Sequence, residues 1–294
     1  MKLGEKIREL RVAKLMTQSE LAGTQITRNM LSCIENGTAQ PSLSTILYIA
    51  SRLNVPAGFL LAEEGDELLY RKMNSFANIK RAYMAEDWWG CRSLCVSSCP
   101  EPDDEICLLL ADCDTEIAIM EFWSGHLRAC CRFFDEAVGY AEKTMYSAAC
   151  VQAKAKTYFR YMRRLSPTLY SDILDEEAEL EVKYVSEFSD YVDALEALDD
   201  GDTAQAECCL AKMASDSFYA THLRIRMLMI DQSYSEAKKS LMGLLKSDEI
   251  LNEISLYAVL CELEICCRET EDFKGAYNYA NEKVALLEQL LKEI

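Results

Sequence analysis

A dense run of helix start and stop signals between Thr17 and Pro56 constrains this chain more than any other feature. Thr17-Gln18-Ser19-Glu20 is a capping box, in which the threonine oxygen satisfies the amide three residues on and the glutamate reaches back. The helix it opens is short, Gln18 to Ala22, and a tight connection follows, Gly23-Thr24-Gln25-Ile26. Thr27 caps a third helix, and Gly37 ends it with a left-handed cap. Pro41-Ser42 opens a fourth helix carrying Leu43, Ile46, Leu47, Ile49 and Leu53, and Asn54-Val55-Pro56 closes it. Upstream, Leu3, Ile7 and Leu10 form the apolar stripe of a first helix. Met30, Leu31 and Ile34 are expected on the buried side of the third helix, with Arg28, Asn29, Ser32 and Cys33 facing out. Phe59-Leu60-Leu61 closes this small core.

Long 3.6-residue periods continue through the rest of the chain, and alternating strand patterns are rare, so the expected class is all-α. With 294 residues there is room for about two domains. Half the residues are apolar, while glycine (11) and proline (5) are scarce, which excludes collagenous and loop-rich chains. No apolar run reaches the roughly 18 residues of a membrane span. The start, MKLGEKIREL, lacks the apolar segment of a secretory signal, so a cytoplasmic location is expected.

Charge is distributed unevenly. Residues 1–62 carry seven basic groups (Lys2, Lys6, Arg8, Arg11, Lys14, Arg28, Arg52) and four acidic ones (Glu5, Glu9, Glu20, Glu35), a net of +3. The total is −18, so the remainder holds −21. A small basic head on a large acidic body fits a nucleic-acid-binding domain joined to one that stays off the duplex, since the body repels phosphate.

The segments TQSELA, TRNMLSCIENG and PSLSTILYIASRLNVP, in that order and spacing, resemble the Cro/XRE helix-turn-helix family over residues 3–62. The connection after Ala22 departs from that pattern by one residue, and its glycine is either replaced by Gln25 or displaced to Gly23. The resemblance implies a lambda-repressor-like fold whose third helix enters the major groove of double-stranded DNA. Thr27, Arg28, Asn29, Ser32 and Cys33 would then stand at or near base edges. Arginine suits guanine, and asparagine suits adenine. Gln18 would hold a phosphate, and Asn36, Thr38 and Gln40 would meet the backbone, fixing register without reading sequence.

Beyond Glu63-Glu64-Gly65-Asp66, turn signatures recur: EDWWGC, SGHLRAC, DGDTAQA, DQSYSEA and TEDFKGA. Aligned on a small residue, they place Cys91, Ala129, Ala206, Ala237 and Ala276 in one register. The double step between Ala129 and Ala206 leaves room for a hidden repeat near Ser166-Pro167. Such a period indicates paired helices stacked as a solenoid, and the segments resemble tetratricopeptide repeats. The expected organisation is a helix-turn-helix domain over residues 1–64, a linker over 65–75 and a tetratricopeptide-like α-solenoid over 76–294. A basic-aromatic run, Tyr158, Arg160, Tyr161, Arg163 and Arg164, offers candidate groove residues. Asn252, Tyr257, Asn278 and Asn281 form a second set, where amides suit a peptide backbone. Trp88, Trp89 and Trp123 are read as packing residues.

A DNA-reading head with such a body resembles the peptide-responsive Rgg-like and PlcR-like regulators of low-GC Gram-positive bacteria. That resemblance implies a homodimer whose body binds a short signalling peptide. A physical argument agrees with the dimer: one small head makes few phosphate contacts, so useful affinity needs two half-sites. The alternative is a body that only dimerises or binds a protein partner. No phosphate loop, nucleophile elbow or metal cluster is present in the sequence, so no enzyme, cofactor or metal is expected. The 14 cysteines, without an export signal, are expected as buried thiols, Cys261 and Cys266 among them. Cys91, Cys95 and Cys99 share a helix face, but with two histidines (His126, His222) and no CxxC pair they are not read as a metal site. Redox sensing would require an exposed thiolate of lowered pKa.

Overall fold

The computed structural model describes residues 2–62, 64–146, 149–169, 184–246 and 251–292, and every regular element among them is an α-helix. The chain forms two compact units, Met1–Pro102 and Asp103–Ile294.

In the first unit, α1 (Leu3–Ala13), α2 (Gln18–Ala22), α3 (Arg28–Glu35), α4 (Leu43–Leu53) and α5 (Ala57–Leu61) enclose Ile7, Leu21, Leu31, Ile34, Ile49, Leu53 and Leu60. Each such side chain contributes roughly 1.5–3 kcal/mol by leaving water. The caps sit where the sequence places them. Thr17 accepts from the Glu20 amide, Thr27 from Met30 and Ser42 from Thr45. Gly37 adopts φ +72°, and the Thr38 amide returns to the Cys33 carbonyl at 2.9 Å. The turn glycine is the displaced one: Gly23, at φ +56°, ends α2. Met30 is not buried but 38% exposed, because Leu31, Ile34 and Glu35 occupy the inward face of α3.

α6 (Glu64–Met84) and α7 (Trp88–Ser98) complete this unit. Residues 65–75, expected as a linker, are helical, since ELLYRKMNSFANIK contains no glycine or proline to stop α6. Glu63, part of the expected boundary, lies outside the described residues.

In the second unit, α8 (Asp104–Trp123) pairs with α9 (Leu127–Ala141), α11 (Glu187–Asp199) with α12 (Thr203–Leu210), α13 (Phe218–Ile230) with α14 (Tyr234–Lys246), and α15 (Glu253–Glu269) with α16 (Phe273–Leu290). α10 (Ala149–Leu165) stands between the first two pairs, and α8, α10, α11, α13 and α15 pack in succession as a solenoid-like row. A helix pairing with α10 beyond Ser166-Pro167 would fall on residues 170–183, outside the described residues.

The five turn signatures share one geometry. Glu86, Gly125, Gly201, Gln232 and Glu271 all adopt positive φ, from 56° to 80°. The next residue (Asp87, His126, Asp202, Ser233 or Asp272) sends its amide back to the carbonyl of Ala82, Glu121, Ala197, Leu228 or Cys267, at 2.8–3.0 Å. This six-to-one bond satisfies a carbonyl that the helix end would leave bare. Asp87, Asp202 and Asp272 then cap the following helix. Four residues on stand Cys91, Cys130, Ala206, Ala237 and Ala276. The second member is therefore Cys130, one residue past the Ala129 of the sequence alignment. Cys91, Cys130, Ala206 and Ala237 are buried, which explains their small size. The row also meets itself within this unit. Arg128 Nε donates to the Leu291 carbonyl at 2.8 Å, and Leu290 packs fully buried against Gly125.

Candidate nucleic-acid interface

The candidate reading surface is the front of α3. Thr27 holds the helix start through a 3.1 Å bond from the Met30 amide to its hydroxyl. Thr27, Arg28, Asn29 and Cys33 are exposed, and Ser32 is half-buried, so the four residues 28, 29, 32 and 33 occupy the solvent side of α3. Neither Arg28 nor Asn29 is hydrogen-bonded through its side chain to another described residue. Asn36, Thr38 and Gln40 are exposed in the following loop, where Thr38 Oγ1 donates to the Cys33 carbonyl at 3.0 Å.

The other side of α3 is held by charge. Arg11 Nε lies 2.7 Å from Glu35 Oε1, and Arg11 Nη2 lies 3.0 Å from Oε2. Gln18 Nε2 donates to the same Oε2 at 2.8 Å, which commits one of its two N–H groups. Burial raises the Glu35 pKa, but the bonds from Arg11 and Gln18 outweigh it and the carboxylate titrates below its ordinary value. Thus Gln18, read from sequence as a phosphate ligand, also ties α2 to α3. Tyr48 Oη donates to the Ala22 carbonyl at 3.0 Å, and Arg52 donates to the Glu20 carbonyl, which fixes α2 from α4. Lys6 is buried, and its Nζ donates to the Ala62 carbonyl at 2.5 Å. The cations left exposed on the head are Lys2, Arg8, Lys14 and Arg28, together with Arg52.

Sequence reasoning missed Lys6, Arg11 and Glu35. The signal was present for Glu35, which follows Leu31 by one helical turn and therefore lies on the apolar face.

The candidate groove residues separate. Tyr158 and Tyr161, expected on a groove surface, are 2% and 4% exposed within a ring cluster with Phe122, Phe134, Phe188 and Tyr191. Packing of α10 between α8, α9 and α11 covers both rings, and burial pushes both hydroxyls up in pKa. Arg160 bonds Glu196 through Nε at 3.0 Å and Asp193 through Nη2 at 2.8 Å. Arg164 bonds Asp199, which also accepts from Arg226 at 2.8 Å, and Arg226 reaches Glu262 at 2.6 Å. Asn252 caps α15 by accepting from the Ser255 amide, and Tyr257 is buried. Asn278 and Asn281 are exposed on α16. Trp123 packs against Phe122 and Phe188, and Trp88 lies edge-on to Tyr83, whereas Trp89 is exposed.

Cys91, Cys95 and Cys99 are buried along α7. Among the described residues no group of three His, Cys, Asp or Glu side chains is placed to hold a metal ion. Burial pushes Cys131 up to about 12 and Cys261 and Cys266 to about 11. Cys33, Cys150 and Cys208 are exposed. No helix among the described residues is long and apolar enough to cross a membrane.

Comparison with curated proteins gives no match. Among solved structures the chain is similar to Bacillus thuringiensis PlcR in complex with the peptide PapR7 and DNA, at 15% identity over 99% of each chain, with a TM-score of 0.24. It is similar to a variant of the Streptococcus dysgalactiae SHP pheromone receptor Rgg2 at 14% identity, over 96% of this chain and 98% of that one, with a TM-score of 0.21. Residues 7–60 match the helix-turn-helix family model. This part of the chain, with its capped α2, tight connection and outward-facing α3, is a helix-turn-helix domain.

Proposed function

We propose that the chain is a sequence-specific DNA-binding transcriptional regulator whose helical-repeat body dimerises and senses a short peptide. The observation that carries the DNA half is the pair Arg28–Asn29. Both are exposed at the start of α3, on a helix whose opposite face is anchored by Arg11, Gln18 and Glu35. Anchored donors at that place suit purine edges in the major groove.

The peptide half has support in the paired charges along the row: Arg160, Arg164 and Arg226 are held by carboxylates that a ligand's own carboxylate could replace. A second reading, a body that dimerises or binds a protein without any peptide, is favoured by the burial of Tyr158, Tyr161 and Tyr257.

The test is binding to the DNA upstream of the chain's own gene across a salt series. Arg28→Ala should cost about 1–3 kcal/mol on the selected site and relax one base position. Gln18→Ala should weaken all sequences alike. Equal binding by wild type and Arg28→Ala would reject the reading. Adding peptides from the producing organism's spent medium separates the two views of the body: a shifted curve supports peptide sensing, and an unmoved one supports the second reading.

A further inference from the structure

α16 carries an apolar seam that the rest of its unit covers only in part, with Ala280, Leu287 and Leu291 half-buried. Phe273, Tyr277, Ala280, Val284, Leu287 and Leu291 follow one another at alternating steps of four and three, the spacing of a coiled-coil seam. Phe273 is 67% exposed, Tyr277 68% and Val284 52%. The opposite side of the helix is already used, since Leu286 and Leu290 are buried. The seam spans α16, 18 residues or about 27 Å of helix.

We propose that this seam pairs antiparallel with α16 of a second copy across a two-fold axis. The inference rests on the dimer part of the reading above and gives it a surface. Size complementarity selects the direction. In the antiparallel register Phe273 meets Leu291 of the other copy, Tyr277 meets Leu287 and Ala280 meets Val284. Each aromatic faces a leucine, and the smallest residue faces the β-branched one. Charge selects the same direction. Lys274 and Glu288 flank the seam near opposite ends, and neither is ion-paired with another described residue. A two-fold sets Lys274 of each copy beside Glu288 of the other, two pairs from one patch. Parallel pairing would instead bring Lys283 to Glu288, but Lys283 is already held by Glu264 on α15.

The test is sedimentation of the full chain without DNA or peptide, for the wild type, Lys274→Glu, Glu288→Lys, the two reversals combined, and Val284→Glu. The wild type should be a dimer. Each single reversal sets like charges together twice and should weaken association about tenfold. The combined reversal should restore it, and Val284→Glu should give a monomer of unchanged helix content. All sites are exposed, so folding is not at stake. A monomeric wild type would overturn the dimer reading and this inference together. A wild-type dimer indifferent to these changes, or one broken by Val284→Glu yet blind to the reversals, would overturn the antiparallel α16 pair and leave the dimer reading standing.

Discussion

Arg11 grips Glu35 with two nitrogens, at 2.7 and 3.0 Å, and so joins the end of α1 to the end of α3. The side chains are 12% and 2% exposed, so Glu35 is buried and Arg11 half-buried. Removing the Glu35 charge leaves the half-buried Arg11 guanidinium without its carboxylate, which costs roughly 1–3 kcal/mol. Glu35→Gln should therefore destabilise the head by that order in denaturant unfolding at pH 7. The Glu35 pKa lies below 4.5 in the folded state, so the pair's contribution is complete above pH 4.5 and is lost as pH falls through the lower folded value. Wild-type stability should fall there, and the penalty of Glu35→Gln should shrink in the same range. A penalty independent of pH would mean that the pair does not hold the head.

Gly4 tests how closely α1 and α3 approach. A Cβ at this position would lie 2.3 Å from the Ile34 carbonyl oxygen and 2.7 Å from that of Glu35. Alanine is the better helix former by about 1 kcal/mol. Both obstacles are backbone atoms, so the helices must separate, and overpacking of that kind costs roughly 1–3 kcal/mol. The steric cost should win. Gly4→Ala should lower the melting temperature of the head and weaken DNA binding with it. A stabilised variant would show that the contact is looser than drawn.

The repeated turns predict the opposite sign for a glycine. Glu86, Gln232 and Glu271 take φ of 56°, 59° and 62°, where a side chain costs about 1–2 kcal/mol. Glycine removes that strain but adds roughly 0.5–1 kcal/mol of unfolded-chain entropy. Gln232→Gly and Glu271→Gly should each stabilise by about 0.5–1 kcal/mol, and Gly201→Ala should destabilise, as read from thermal unfolding. Destabilisation by both glycine variants would mean that the left-handed turn is not shared.

Local chemistry made the head legible. Thr17, Thr27, Ser42, Gly37 and Asn54 each act on backbone within a few residues, and the structure has each at a helix end. The recurring turns were visible for the same reason, although two adjacent small residues, Ala129 and Cys130, hid the register by one. Pairings far along the chain were not legible. Tyr158 and Arg160 look alike as amphipathic surface until α8 and α11 are known to flank α10, whereupon one becomes core and the other meets Glu196. The 65–75 segment misled because acidic residues and one glycine imitate a boundary, while the residues after them are good helix formers.

Tyr191 and His222 give the body its own pH dependence. The Tyr191 hydroxyl and His222 Nδ1 lie 3.0 Å apart in the interior, and Phe218 stacks on the imidazole at 5.6 Å. His222 Nε2 has no hydrogen-bond partner among the described residues. Burial first, then the Arg226 and Arg164 charges, lower the pKa from 6.5 to about 3. The unfolded chain therefore takes up a proton that the folded one refuses. The stability this neutral imidazole supports is complete above pH 6.5 and is lost as pH falls from there towards 3, at up to about 1.4 kcal/mol per pH unit. His222→Leu removes the titration and strands the Tyr191 hydroxyl, so at pH 7.5 it should be the less stable protein by roughly 1–3 kcal/mol. As pH is lowered to 5 the wild type should lose ground to the variant until the two curves approach or cross. Carboxylates common to both proteins cancel in that difference. Parallel stability curves between pH 7.5 and 5 would mean that His222 takes up its proton in the folded chain as easily as in the unfolded one.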